Sequence, residues 1–421
     1  MTMYNLHLTA EQIEMRDTVR DFVDKEIKPA ALHPGRLEPF EKPLLADLLG
    51  KASQLGLRTL ALAEEAGGTG ADCMTSCIVM EELAVGEVDI AVALGHTAAL
   101  APIVSMRMSA AQRARFFAKF AEDDGFHLAF AGRDPHAGLG WSYHRPLVAD
   151  DVSELSAVKQ GNGDWLLNGT LAFVANAPIA QLFVAQARTD SKKTGANGLS
   201  AFIVPRGTPG LAVGNPPPAV GGARADGEPV SRWFHGTGAT VVFKDCRVSA
   251  DNLLGKEGQS ASGGAGALRG YLQTAAINLG VGRAAYEAAV DYAKLRRQGG
   301  RNIIEHQAIG TKLADCAIKL ELARTMIWKA AWALDHPEAV ADRSVSDLPL
   351  HVIARVYTAE AVNEVALLAA ECFGAMAVMR DMPLQKYVHD SMVFLHADDS
   401  DAAAKLAIAE AVAGYQRPLA A

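Results

Sequence analysis

One His and three Asp fall within six residues near the end of the chain, His396 to Asp401 in "FLHADDSDAAAKL". A carboxylate or imidazole there could take a proton as a general base, given surroundings that hold it against a substrate and exclude water. Asp398, Asp399 and Ser400 are equally what the first turn of a helix prefers, because acids and hydroxyls satisfy its free amides and suit its dipole. A second place where charge could do chemistry is "GRDPHAGLGW". Its Arg133 could stabilise negative charge on a bound group, or pair with the adjoining Asp134. The five cysteines, Cys73, Cys77, Cys246, Cys316 and Cys372, are scattered without a CxxC pair, which points to reduced buried thiols and to no metal site.

Positioning such groups needs a core, and 421 residues, 50% of them apolar and 21% charged, are enough for two or three subdomains. A net charge of −8 with no basic stripe argues against nucleic acid as a partner. No apolar run of roughly 18 to 20 residues stands out, so no membrane span is expected. The N-terminal stretch lacks the pattern of a secretory signal, and a cytoplasmic protein is expected.

Three patterns follow one another. Residues 1–125 read as an α-helical N-terminal domain. Thr9 is its first N-cap, Gln12 sits at the capping-box position, Ile13, Val19, Phe22, Val23 and Ile27 recur at roughly helical spacing, and Pro29 ends that helix. Residues 126–250 switch toward a period of two, in runs such as "HLAFAG", "AQLFVAQART" and "ATVVFKDCRV" split by turn residues. An antiparallel β domain is expected, with the Asn-Gly of "LLNGT" as a tight hairpin. Residues 251–421 return to a period of 3.6. Ile309, Leu313, Cys316, Leu320, Ala323, Ile327 and Leu334 form one apolar stripe, and four long helices around 265–297, 307–335, 347–375 and 398–415 predict a bundle.

With those motifs in that order, the chain resembles the acyl-CoA dehydrogenase superfamily over nearly its whole length. "YAKLRRQGGRNIIEHQ" (Tyr292 to Gln307) resembles that family's YAxxRxQFGxPIxxxQ, and "FKDCRVSADNLLGKEGQ" its F-x-DxRVPxxNLLGxEGxG. "WLLNGTLAFVANA" resembles YxLNGxKxWITNA, "LSAFIVPRGTPGL" resembles ISAFxVxxxxPGx, and "CFGAMAVMRDMPLQKYVHD" resembles xxGGxGYxxDxPVERxxRD. The resemblance implies a mainly α fold with a central β-barrel domain and a C-terminal four-helix bundle, assembled as a homodimer or homotetramer. It implies FAD between the β domain and the bundle, with residues of a neighbouring subunit helping to hold it. An acyl-CoA would be the substrate, and electron-transfer flavoprotein or oxygen the acceptor. Arg296 falls at the position of the arginine for the FAD pyrophosphate, a role that suits a bidentate guanidinium. Further cofactor contacts are implied for Arg133, Asp134, Phe173, Ala175, Gln298, Glu371, Gly374 and Ser400, and a substrate contact for Tyr271.

The pattern is also broken. The family's TEPxAGSD segment becomes "GRDPHAGLGW", and its WIT becomes Phe173, Val174 and Ala175, which keeps an aromatic plane and loses a hydroxyl. Glu371 stands where a Gln is usual, a carboxylate that must pair if it lies near phosphate. Counting from His389-Asp390, the Glu base of the family's IYEGTSEIQR falls on Asp398, its Thr on Ser400 and its Arg on Lys405. Asp398 is thus the leading candidate base and His396 the second. The alternative base position on the preceding bundle helix is Gly270, followed by Tyr271, and neither is a carboxylate. Three readings stand: α-proton abstraction with β-hydride transfer giving an enoyl-CoA, a flavin oxidase or monooxygenase of the same fold acting on a non-CoA substrate, or a non-catalytic subunit of a heteromeric dehydrogenase.

Overall fold

Thr9 caps the first helix as the sequence predicts, its hydroxyl accepting from the Gln12 amide while the Gln12 side chain answers the Thr9 amide. In this computed structural model residues 4–37, 42–132, 155–193, 195–214, 233–259, 265–396 and 401–414 are described. Helix α1 (Ala10–Phe22) does not stop at Pro29. It passes through a π turn, Val23–Ile27, into a short helical turn, Lys28–Ala31, in whose first turn Pro29 sits, where a missing N–H costs little. Helices α2 (Ala46–Gln54), α3 (Cys73–Gly86) and α4 (Val88–Arg107) complete the N-terminal domain, and every residue of α3 is buried.

The central domain is a mixed sheet. Its strands are β1 (His127–Ala131), β2 (Leu155–Lys159), β3 (Trp165–Ala175), β4 (Ala180–Arg188), β5 (Leu199–Pro205), β6 (Leu211–Val213), β7 (Gly238–Val248) and β8 (Leu253–Leu254). They run in the order β6-β7-β3-β2-β4-β5-β8, with β1 also on β4. The pairing is not wholly antiparallel as expected, because β4 lies parallel to both β1 and β2, and no closed barrel forms among the described residues. The Asn-Gly of "LLNGT" is not a hairpin turn either. Asn168 and Gly169 lie inside β3, where the register on β7 shifts, and the Asn168 side chain accepts from the Asp245 amide at 2.8 Å. The hairpin between β2 and β3 turns at Asn162-Gly163 instead, with Gly163 at φ 91°.

The bundle has α5 (Ala265–Leu295), α6 (Gln307–Asp335), α7 (Leu350–Phe373), α8 (Leu384–His396) and α9 (Asp401–Val412). The fourth helix expected around 398–415 is the shorter α9, and α8 before it is a further helix that the sequence reading did not expect. Between α5 and α6 a two-stranded hairpin projects, β9 (Arg297–Gln298) on β10 (Arg301–Asn302), turning at Gly299 and Gly300 with φ 61° and 83°. The predicted stripe on α6 faces inward, with Leu313, Cys316, Leu320, Ala323 and Ile327 buried. One continuous core joins α1, α3 and α4 to α5, α6 and α7, and the sheet has its own. All five cysteines are free and buried. Two helices are long and apolar enough, by length and composition, to cross a membrane, although no such run stood out in the sequence: Val88–Arg107 and the stretch Leu350–Val378. The apolar windows that qualify them are 67% and 44% buried inside the protein. A core helix covered on most sides needs the same composition as a span.

Candidate functional site

Phe173 leaves the end of β3 half-buried and packs on Trp233 and Phe234, with ring centroids 4.9 and 4.8 Å away. Gly238, opposite on β7, is bare because any Cβ there would meet the Phe173 ring at 2.1 Å. Ala175, two residues on, pairs with that same Gly238. The next residue, Asn176, holds φ 62° by donating to the Ala93 carbonyl at 2.8 Å, which ties the strand end to α4. One residue past Phe234, the His235 ring packs at a tilt of 35° on Phe394 of α8, with ring centroids 4.5 Å apart. The aromatic run 233–235 therefore joins Phe173 to the helix that ends at exposed His396. Nothing in the reading of the sequence singled out Trp233, Phe234 or His235, although three successive rings after a Pro- and Gly-rich stretch were a signal.

Buried charges fix this junction. The Lys386 ammonium on α8 meets Asp390 at 2.8 Å and Glu87, the N-cap of α4, at 3.6 Å. Asp89 accepts from the Gly236 amide at 2.8 Å, and the Asp390 carbonyl lies 3.0 Å from His235 Nε2. Burial works to raise the Asp390 carboxyl, but Lys386, His389 and His235 overcome it and hold the group well below the usual carboxylate range. The same carboxylates overcome burial at Lys386 and hold its ammonium charged. A network satisfied in this way locks the angle between α8 and the β domain.

The remaining candidates gather at the two ends of α5. Tyr271 is half-buried near its start, its ring 6.2 Å from that of His351 on the first turn of α7. Burial and the nearby Arg355 push the His351 imidazole down to about 4, so it is neutral. At the far end, Tyr292 stacks on Phe373 at 4.1 Å and brings the tips of α5 and α7 together. Arg296 and Gln298 stand exposed at the hairpin there. Glu371 pairs with Lys312 of α6, which answers the repulsion expected of a carboxylate near phosphate. Gly374 ends α7 at φ 58°, ψ −135°, a conformation only glycine adopts readily, and leaves the backbone open. Tyr271 and Leu295 are 24 residues apart on one helix, about 36 Å at 1.5 Å per residue. Arg133, Asp134, Asp398 and Ser400 lie outside the described residues.

An exposed guanidinium and carboxamide at a hairpin, a bare glycine backbone at the end of α7 and a separate aromatic wall are a donor set and surface that fit a dinucleotide with a flat ring system. Fold and site together define a cofactor-dependent oxidoreductase of two helical domains around a β domain. Three sequence profiles match in chain order: acyl-CoA dehydrogenase N-terminal domain at 9–124, middle domain at 147–231 and C-terminal domain at 268–413. An acyl-CoA dehydrogenase of Bacillus subtilis (strain 168) is 32% identical over 394 residues, covering 92% of this chain and 94% of that one. Butyryl-CoA dehydrogenase from Megasphaera elsdenii superposes with a TM-score of 0.79 at 25% identity, over 97% of this chain and 100% of that one. A structure described as the electron transferring flavoprotein of Acidaminococcus fermentans superposes with a TM-score of 0.78 at 26% identity, over 97% and 99% of the two chains. The chain belongs to the acyl-CoA dehydrogenase family, and with it to the FAD-dependent oxidoreductases that act on CH–CH groups.

Proposed function

We propose that the protein converts an acyl-CoA into the α,β-unsaturated thioester. Bound FAD supplies the acceptor for the β-hydrogen, which leaves as hydride. Asp398 takes the proton from the α-carbon. Its carboxylate is one methylene shorter than the Glu of the family pattern, about 1.5 Å of reach, so the substrate must sit correspondingly closer. Phe173, Trp233 and Phe234 line the junction with apolar surface, and His235 against Phe394 seals its bundle side, which keeps water from the proton transfer. Tyr271 lines the acyl site, where Gly270 leaves room against α4.

The observation that carries this reading is the junction itself: the aromatic strand end and the helix that leads into Asp398 are held against each other by a buried charge network. The separation along α5 supports a second element. The acyl site at Tyr271 and the phosphate clamp at the far end of α5 lie about 36 Å apart along one helix, so Arg296 and Gln298 serve the site of a neighbouring copy, and the protein is a homo-oligomer. An electron-transferring flavoprotein is the natural acceptor, with oxygen as the alternative.

The test is anaerobic titration of the FAD-loaded protein with a panel of CoA thioesters. Bleaching of the flavin by at least one of them is expected, and its absence across short, medium and branched chains sinks the assignment. Hydrogen peroxide formed in air in step with substrate would mark oxygen as the acceptor. Asp398→Ala should abolish bleaching and keep FAD bound. Activity within severalfold of the wild type would mean that the base is elsewhere.

A further inference from the structure

The hairpin that carries Arg296 and Gln298 is held by one imidazole. His306, the residue before α6, has its Nε2 3.0 Å from the Gln298 carbonyl and its Nδ1 3.3 Å from Arg301 Nη2. A carbonyl only accepts and a guanidinium only donates, so Nε2 carries the proton and Nδ1 is bare. The ring is thereby fixed as a neutral imidazole in a single tautomer, bridging the two strands of the hairpin. A Cβ at position 299 would come within 3.3 Å of His306 Cε1. The family pattern carries Phe where this chain has Gly299, and the imidazole lies beside the place that side chain leaves. The rest of the hairpin is anchored at its base. Ile303 donates to the Arg296 carbonyl at 2.9 Å, and the Asn302 side chain to the Lys294 carbonyl at 2.8 Å. Only His306 reaches from outside the hairpin to its tip among these bonds.

We propose that His306 is a positioning residue for cofactor binding: its neutral imidazole ties the Gln298 carbonyl to Arg301 and props the turn at Gly299, so that Arg296 and Gln298 are presented in one shape. This rests on the reading that the hairpin contacts FAD.

FAD affinity of the assembled protein, measured by quenching of flavin fluorescence, tests this with His306→Ala and His306→Gln. The carboxamide of the second can donate to the Gln298 carbonyl and accept from Arg301 at once. Near pH 8 the Ala variant should bind FAD about fivefold more weakly, the worth of roughly one net hydrogen bond, while the Gln variant stays within about twofold of the wild type. An Ala variant that binds as tightly as the wild type, or a Gln variant as weak as Ala, overturns the proposal with FAD binding itself intact. A wild-type protein that takes up no FAD overturns the functional reading, and this one with it.

Discussion

One buried histidine, His127, and one half-buried one, His351, make the protein acid-sensitive at the level of single residues. Burial, with Arg58 nearby, pushes His127 down to about 4, and burial with Arg355 does the same to His351. Both are neutral when folded, while the unfolded chain takes up their protons below the ordinary value of about 6.5. Stability is thus intact above that value and falls as pH drops from about 6.5 toward about 4. At pH 5 the loss is about 2 kcal/mol for His127, and less for the more accessible His351. Urea unfolding at pH 7 and pH 5 should show the drop, and His351→Gln should shrink it. Gly374→Ala forces a side chain into φ 58°, ψ −135° and should cost about 1 to 3 kcal/mol in a melt. The sequence made Gly374 visible as a motif letter. The Lys312 partner of Glu371 was invisible, because it comes from another helix and no spacing links positions 312 and 371.

At the level of elements, α3 is joined to the bundle by charge as much as by its apolar surface. Arg283 of α5 reaches Glu81 at 2.8 Å and also pairs with Glu82, while Arg324 of α6 shares Glu81 and Arg20 of α1 shares Glu82. Burial works to lower the Arg283 guanidinium, but Glu81, Glu82 and Glu287 outweigh it and hold it more firmly charged than usual. Arg283→Met leaves two buried carboxylates short of a partner and should destabilise the protein by about 3 kcal/mol, read from denaturant unfolding. Helix positions were legible in the sequence because capping and a 3.6 period are local signals, as at Thr9 and along α6. The sheet was less legible. Asn168-Gly169 and Asn162-Gly163 look alike locally, and only pairing with β7 places the first inside a strand as a bulge. The junction at His235 was missed for the same reason, since Glu87 and Asp89 at the start of α4 and Asp390 on α8 reach it from two segments about 300 residues apart.

At the level of the whole molecule, exposed apolar side chains mark where copies would meet. Ile318 and Leu322, one turn apart on α6, are 57% and 53% exposed, and Leu367 of α7 is 47% exposed. In the proposed homo-oligomer, Ile318→Asp with Leu322→Asp should split the assembly in sedimentation runs and release FAD with it, since Arg296 would then have no neighbouring site to serve. Unchanged sedimentation would place the interface elsewhere. The length of α5 has a genetic consequence. If each site draws its base from one copy and its phosphate clamp from another, an Arg296→Ala chain and an Asp398→Ala chain are each inactive for different reasons. Expressed together, they form mixed assemblies in which one site in the pair receives both intact parts, so two dead alleles complement each other within a single gene.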